Sequence, residues 1–182
     1  MNDYLEEIDH HFEGFFSDVE TKSVAVTKSL NNEKEEFRLS YRRLVSIQAW
    51  RSEIFEKDGA IAGAEFFREA QNDVLVSHVL ARQGAWRMAL MAMRSCVENA
   101  LFSLFYIDHP VELELWKIGE HRLGFTETIS YIANHPNFRE LPETFSGVAG
   151  LKREYATLSK AVHASASHFR CKAGVIHPAA SF

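Results

Sequence analysis

Two pairs of side chains stand at spacings that permit chemistry. Arg94 and Glu98 are four residues apart in one segment, and Ser159 and His163 are four apart in another. On a helix, residues four apart are surface neighbours, so each pair lies within mutual reach. A histidine moves a proton near neutral pH, and a guanidinium neutralises charge growing on a phosphate. If the two segments face each other, His163, Arg94 and Glu98 form a catalytic set for metal-free phosphodiester chemistry, with Ser159, Lys160 and Arg170 placed to bind. For RNA the attacking group would be the neighbouring 2′-hydroxyl. The competing reading is structural: an internal ion pair that keeps two helices in register, beside a satisfied core histidine.

The segments that must hold these residues read as helices. Trp86 to Ile107 lacks Pro and Gly and is rich in Ala, Leu and Met, which keep their rotamer freedom in a helix. Its apolar residues occupy nearly the whole circumference, which predicts burial on most sides. Against that background Arg87, Arg94, Glu98 and either Asn99 or Phe102/Ser103 draw one polar stripe. A charge on such a helix must be paired or functional, because an unpaired buried charge is prohibitively costly. The last long helix is predicted over 148–169, with Leu151, Tyr155, Leu158, Val162 and Phe169 as its buried stripe. Lys152, Ser159, His163 and Arg170 line its polar edge, and the small residues Ala161 to Ser167 would admit a second copy.

Upstream, residues 4–19 place Leu5, Ile8, Phe12, Phe15, Phe16 and Val19 on one helical face with acids opposite. Residues 20–32 are ambiguous, because Ser23 to Thr27 has strand-like composition. A helix from Asn31-Asn32 to about Lys57 should bury Phe37, Tyr41, Leu44, Ile47 and Ile54, ending at Asp58-Gly59. The next, from about Ile61 to Arg82, turns Ala64, Phe67, Ala70, Val74 and Leu75 inward. Short helices follow over 112–117 and 125–134, and residues 135–147 read as irregular. The reading is all-α: an antiparallel helical bundle with additional N-terminal helices.

At 182 residues one domain is expected, with 1–32 as an N-terminal helical extension, 84–170 as the core and 170–182 as an irregular tail. The net charge of −5 argues against a protein that simply coats nucleic acid, though a local basic patch is compatible with it. The acidic N-terminus does not read as a leader, and Arg94, Glu98 and Asn99 in mid-helix argue against a membrane span. Cys96 reads as a small core residue of a cytoplasmic protein. His10-His11 and the scattered His109, His121 and His135 lack ligand spacing, and there is no Gly-rich phosphate loop. No metal and no cofactor are expected.

Arg94-Ser95-x-x-Glu98-Asn99 in one helix and Tyr155-x-x-Leu158-Ser159-x-x-x-His163 in a later one resemble the HEPN superfamily of helical bundles over roughly residues 84–170. The resemblance implies a bacterial defence or toxin–antitoxin setting, a metal-independent endoribonuclease acting on RNA, and a homodimer that brings two Arg–His motifs together. It equally covers non-catalytic members, which bind a nucleotide or a partner protein, here one from the same operon. The superfamily's nuclease motif is Arg, four to six residues, then His. Counting back from His163, those places hold Ala156, Thr157 and Leu158; the formal match is Arg170 to His177, which makes His177 a reserve candidate. An open basic patch at Arg94, Lys160, His163 and Arg170 would favour the enzyme, and a sealed ion pair the binding module.

Overall fold

The structure, a computed structural model, describes residues 2–55, 57 and 61–163, with side chains described from residue 6 onward. The described residues are helical throughout their regular elements. These are α1 (Asn2–Asn32), α2 (Lys34–Trp50) with a π-helical turn Arg51–Phe55, α3 (Ala64–Arg82), α4 (Trp86–Asp108), α5 (Pro110–Lys117), α6 (Phe125–Asn134), α7 (Glu143–Ser146) and α8 (Val148–Val162). The all-α expectation holds.

Helix α4 is the axis of the core, packed against α3, α8, α6 and α5. It begins after the tight turn at Gln83 and Gly84, and it ends where Pro110 takes the first position of α5. Proline fits there because its missing N–H would have had no helical partner. Phe66, Phe105, Tyr106 and Leu113 form one buried cluster, and Leu101, Ile129 and Ile132 another. Two fully buried hydroxyls are satisfied within their own helical turns: Ser103 donates to Ala100 O at 2.7 Å and Thr128 to Gly124 O at 2.8 Å. Along 92–106 every α4 residue is wholly or partly covered, but Trp86, Met88 and Met91 are exposed. The predicted burial all round therefore fails at both ends of the helix, since Ile107 is exposed as well. By length and hydropathy α4 could cross a membrane; here it is the core helix.

The entry to α3 depends on one glycine. Gly63 has φ of 80°, and a Cβ there would sit 2.7 Å from Ser103 O and 3.2 Å from Tyr106 Cβ. Only a residue without a side chain allows the chain to pass so close to α4.

Several expectations need correction. Residues 20–32 are helical, since a run already in register extends more cheaply than an isolated strand forms. Helix α1 is joined to α2 through the single non-helical residue Glu33, whose N donates to Ser29 O and whose O accepts from Phe37 N. Phe37, Leu44 and Ile47 do turn toward α3, whereas Tyr41, Ile54 and Leu75 are exposed. Helix α2 packs on one neighbouring helix, so its buried stripe is narrower than its apolar stripe. Residues 135–147 contain the single turn α7. Ala161, offered to a second copy, is wholly buried inside the chain. Asp58, Gly59 and residues 164–182 lie outside the described residues, among them Phe169, Arg170, His177 and the rest of the small-residue run.

Candidate functional site

Helices α4 and α8 do pack together, and their contact brings the predicted residues into one cluster. Arg94 Nε donates to Glu98 Oε1 at 3.1 Å and to the Tyr155 hydroxyl oxygen at 3.0 Å. The Tyr155 O–H in turn donates to Glu98 Oε1. Each member of this triangle is held by the other two. Tyr155 is steadied from behind by Phe125 of α6, stacked at 3.4 Å between centroids with planes 3° apart. The Arg94 guanidinium also lies over the Tyr155 ring, 5.2 Å from its centroid.

His163 stands on the rim. Its Nε2 is 3.5 Å from Arg94 Nη1, and the residue is exposed. That contact suits a neutral imidazole whose Nε2 accepts from the guanidinium. One residue earlier, Arg87 Nη2 donates to Val162 O at 2.9 Å, which caps the last turn of α8 from α4. Arg87, Arg94 and Glu98 thus all face α8. Asn99, the ambiguous end of the stripe, turns instead to α3 and donates to Asp73 Oδ2 at 2.8 Å.

The electrostatics follow from this packing. Burial pulls the Arg94 guanidinium down, but the Tyr155 hydrogen bond and the Glu98 charge outweigh it and hold Arg94 above its ordinary value. Burial and then the hydrogen bond to Glu98 push the Tyr155 phenol up. Arg94 therefore stays charged and Tyr155 stays protonated across the physiological range.

Ser159 does not behave as its spacing predicted. His163 N donates to Ser159 O at 3.1 Å, and no hydrogen bond joins the two side chains among the described residues. His163 is the C-cap of α8, with φ −82° and ψ 0°, about 40° from helical ψ. The backbone up to His163 is still helical, and it is the ring itself that turns away from Ser159 to Arg94 on α4. Lys160 is exposed on the last turn of α8, while Arg170 and His177 lie outside the described residues. Tyr155, read from sequence as part of the buried stripe, is the member whose role the spacing did not reveal. The available signal was a hydroxyl-bearing aromatic eight residues before His163, two turns along the same face.

A cavity of about 590 Å3 lies elsewhere, between α1, α3 and the α3–α4 turn. His78 faces it, with Nδ1 3.5 Å from Ser40 Oγ and the ring stacked on Phe37. Burial, then Arg82, lowers the His78 pKa and keeps it neutral. Comparison with protein-family models, curated proteins and solved structures finds no match to this chain.

Proposed function

We propose that this chain is a HEPN-like, metal-independent endoribonuclease of a bacterial defence or toxin–antitoxin system, working in the cytoplasm as a homodimer. The observation that carries the reading is the approach of His163 Nε2 to Arg94 Nη1 across two helices, at an exposed rim. In this reading the phosphate takes the Arg94 N–H that points at His163, which frees His163 Nε2 to take the proton of the RNA 2′-hydroxyl. The freed oxygen attacks the adjacent phosphorus, the 5′-oxygen leaves and is protonated by water, and a 2′,3′-cyclic phosphate remains. Arg94 neutralises the charge that grows on the non-bridging oxygens, while Glu98 and Tyr155 fix its Nε and leave Nη2, with the second N–H of Nη1, for phosphate. Charge along the chain supports an anionic substrate here. From residue 144 onward the sequence holds five Lys and Arg, including Lys152, Arg153 and Lys160, against the single acid Glu154.

A second reading is a non-catalytic module that binds a partner protein or a nucleotide. It is favoured by the closed Arg94–Glu98–Tyr155 triangle, in which Arg94 Nε is already occupied. The two readings separate in one assay: RNA cleavage with EDTA present, wild type against His163→Ala. The nuclease reading expects cyclic-phosphate products, no cleavage of DNA, and a loss of about 10²–10⁴-fold in the variant. The exposed position of His163 lets the fold survive the change. Cleavage by the variant at the wild-type rate removes His163 from the mechanism. No cleavage by wild type, with or without its genomic partner, leaves the binding module.

A further inference from the structure

Helix α1 carries a face that no described residue covers. Ile8, Phe12, Phe15, Phe16 and Val19 share one side of it, each between 45% and 61% exposed. Apolar residues scattered singly over a surface are ordinary; five large ones in a single stripe mark an interaction site. The stripe does not stop at Val19. The same face continues through Lys22, Val26 and Leu30 into the 590 Å3 cavity, which His78, Arg82 and Trp86 close on the other side. Free helix and cavity therefore make one strip. Its uncovered part, residues 6–21, spans about 24 Å at the helical rise.

Charge selects what fits. Residues 2–21 contain seven Asp and Glu and no Lys or Arg. At 100° per residue, Asp9 and Glu20 flank the stripe on one side and Asp18 on the other. A lipid surface is a poor occupant, because helices that lie in the interface carry Lys and Arg on their polar faces, and anionic lipids would repel these acids. A second α1 would set acid beside acid along residues 2–21, where the one nearby cation, Lys22, is already 3.7 Å from Asp18.

We propose that α1 is a docking strip for an amphipathic helix of a partner protein whose apolar stripe is flanked by Lys and Arg. That helix lies along Ile8 to Val19 with one end in the cavity beside Trp86. The mode is helix against helix, with anchors at intervals of three and four residues and opposite charges along the edges setting the choice of partner. None of these residues belongs to the Arg94 cluster, so the proposal stands apart from the ribonuclease reading.

The test uses the full chain and two fluorescent synthetic peptides of three heptads. Both carry Leu at the core positions; one has Lys at the flanking positions and the other Glu. Fluorescence anisotropy should show the Lys peptide binding and the Glu peptide not. Phe12→Ala/Phe15→Ala should weaken the Lys peptide at least about tenfold, with the thermal melt unchanged because both side chains are exposed. Asp9→Lys/Asp18→Lys/Glu20→Lys should reverse the preference between peptides. Equal binding of the two peptides, or binding indifferent to the phenylalanine pair, overturns the proposal. So does a dimer in light scattering that Phe12→Glu/Phe15→Glu dissociates, which puts a second copy on the strip. Tighter peptide binding by Arg170→Glu/Lys172→Glu puts the chain's own C-terminal residues there and overturns it equally.

Discussion

The Tyr155 hydroxyl lies 3.0 Å from Arg94 Nε, so the arginine is fixed from the opposite helix as well as by Glu98 on its own. The Arg94 and Glu98 side chains keep 25% and 28% of their exposure, which places the pair between a sealed clamp and an open surface bridge. Arg94→Ala is accordingly expected to cost about 1–2 kcal/mol, the range of lost hydrogen bonds to a partly solvated charge. A sealed pair stripped of one partner would cost about 3–5 kcal/mol. Urea melts of Arg94→Ala, Glu98→Ala and the double variant close the cycle, with a coupling of about 0.5–1 kcal/mol expected. A single-variant loss beyond about 3 kcal/mol would show that the cluster is an internal clamp.

Gly63→Ala should be among the most damaging small substitutions. It forces a side chain into a left-handed conformation and drives its Cβ against Ser103 O, which belongs to the backbone of α4 and cannot swing away. The expected loss is about 2–4 kcal/mol, combining backbone strain with overpacking. Gly14→Ala is the control. It lies within α1 with nothing inside 4 Å of the added carbon, so it should raise helicity by circular dichroism and lower no melting temperature.

Cys96 predicts an alkaline weakness. Burial, and then the charge of Asp73, push its thiol from 9.0 up to about 11. Below about pH 9 the thiol is protonated in both folded and unfolded chains, and its contribution is whole. Between about 9 and 11 only the unfolded chain ionises, so stability falls by up to about 3 kcal/mol as pH rises through that window. Denaturant melts across the window should show this slope in wild type and a shallower one in Cys96→Ala. Equal slopes would mean that the thiol is reached by water in the folded chain.

Glu143 predicts the opposite slope at the acid end. Its carboxylate accepts from Gly150 N at 2.9 Å and Ala149 N at 3.2 Å, which caps the first turn of α8. Those two backbone hydrogen bonds, Gly150 first, hold it below its ordinary value of 4.5. A depressed carboxylate stabilises above its unfolded pKa, and the contribution is lost as pH falls through the folded one. Glu143→Gln should therefore melt lower than wild type at neutral pH, and the gap should close in acid below the ordinary carboxylate range. A gap that persists there would point to lost packing instead.

Much of the fold was legible because its strongest signals were local. Phe125–Asn134 matches the predicted helix, and α4 runs one residue past its predicted end. Arg94 meets Glu98 because both lie on one regular helix, where spacing alone decides contact. The partnership with Tyr155 depends on how α8 is rotated against α4, and that is set by the whole core, not by either segment. Ser159 and His163 share no side-chain hydrogen bond because the His163 ring turns to Arg94 on the facing helix, a choice of rotamer that spacing within α8 does not state. The uncovered face of α1 has a different cause. Periodicity states which side of a helix is apolar, and says nothing about whether a neighbour arrives to cover it.

The join between α1 and α2 gives the molecule a mechanical property. The backbone hydrogen bonds from Glu33 N to Ser29 O and from Phe37 N to Glu33 O meet at Glu33, and none among the described residues spans it. This residue, at φ −103° and ψ 20°, is therefore the joint between the free end and the packed half of the helical pair. Phe37, just beyond the join, stacks on His78 at 4.3 Å, and Arg82 grips Glu33 at 2.8 Å. A pull on the first twenty residues is received at this joint, where the last residue of α3, Arg82, holds Glu33 just before the turn into α4. Whatever takes hold of the far end acquires a handle on the helix that carries Arg94.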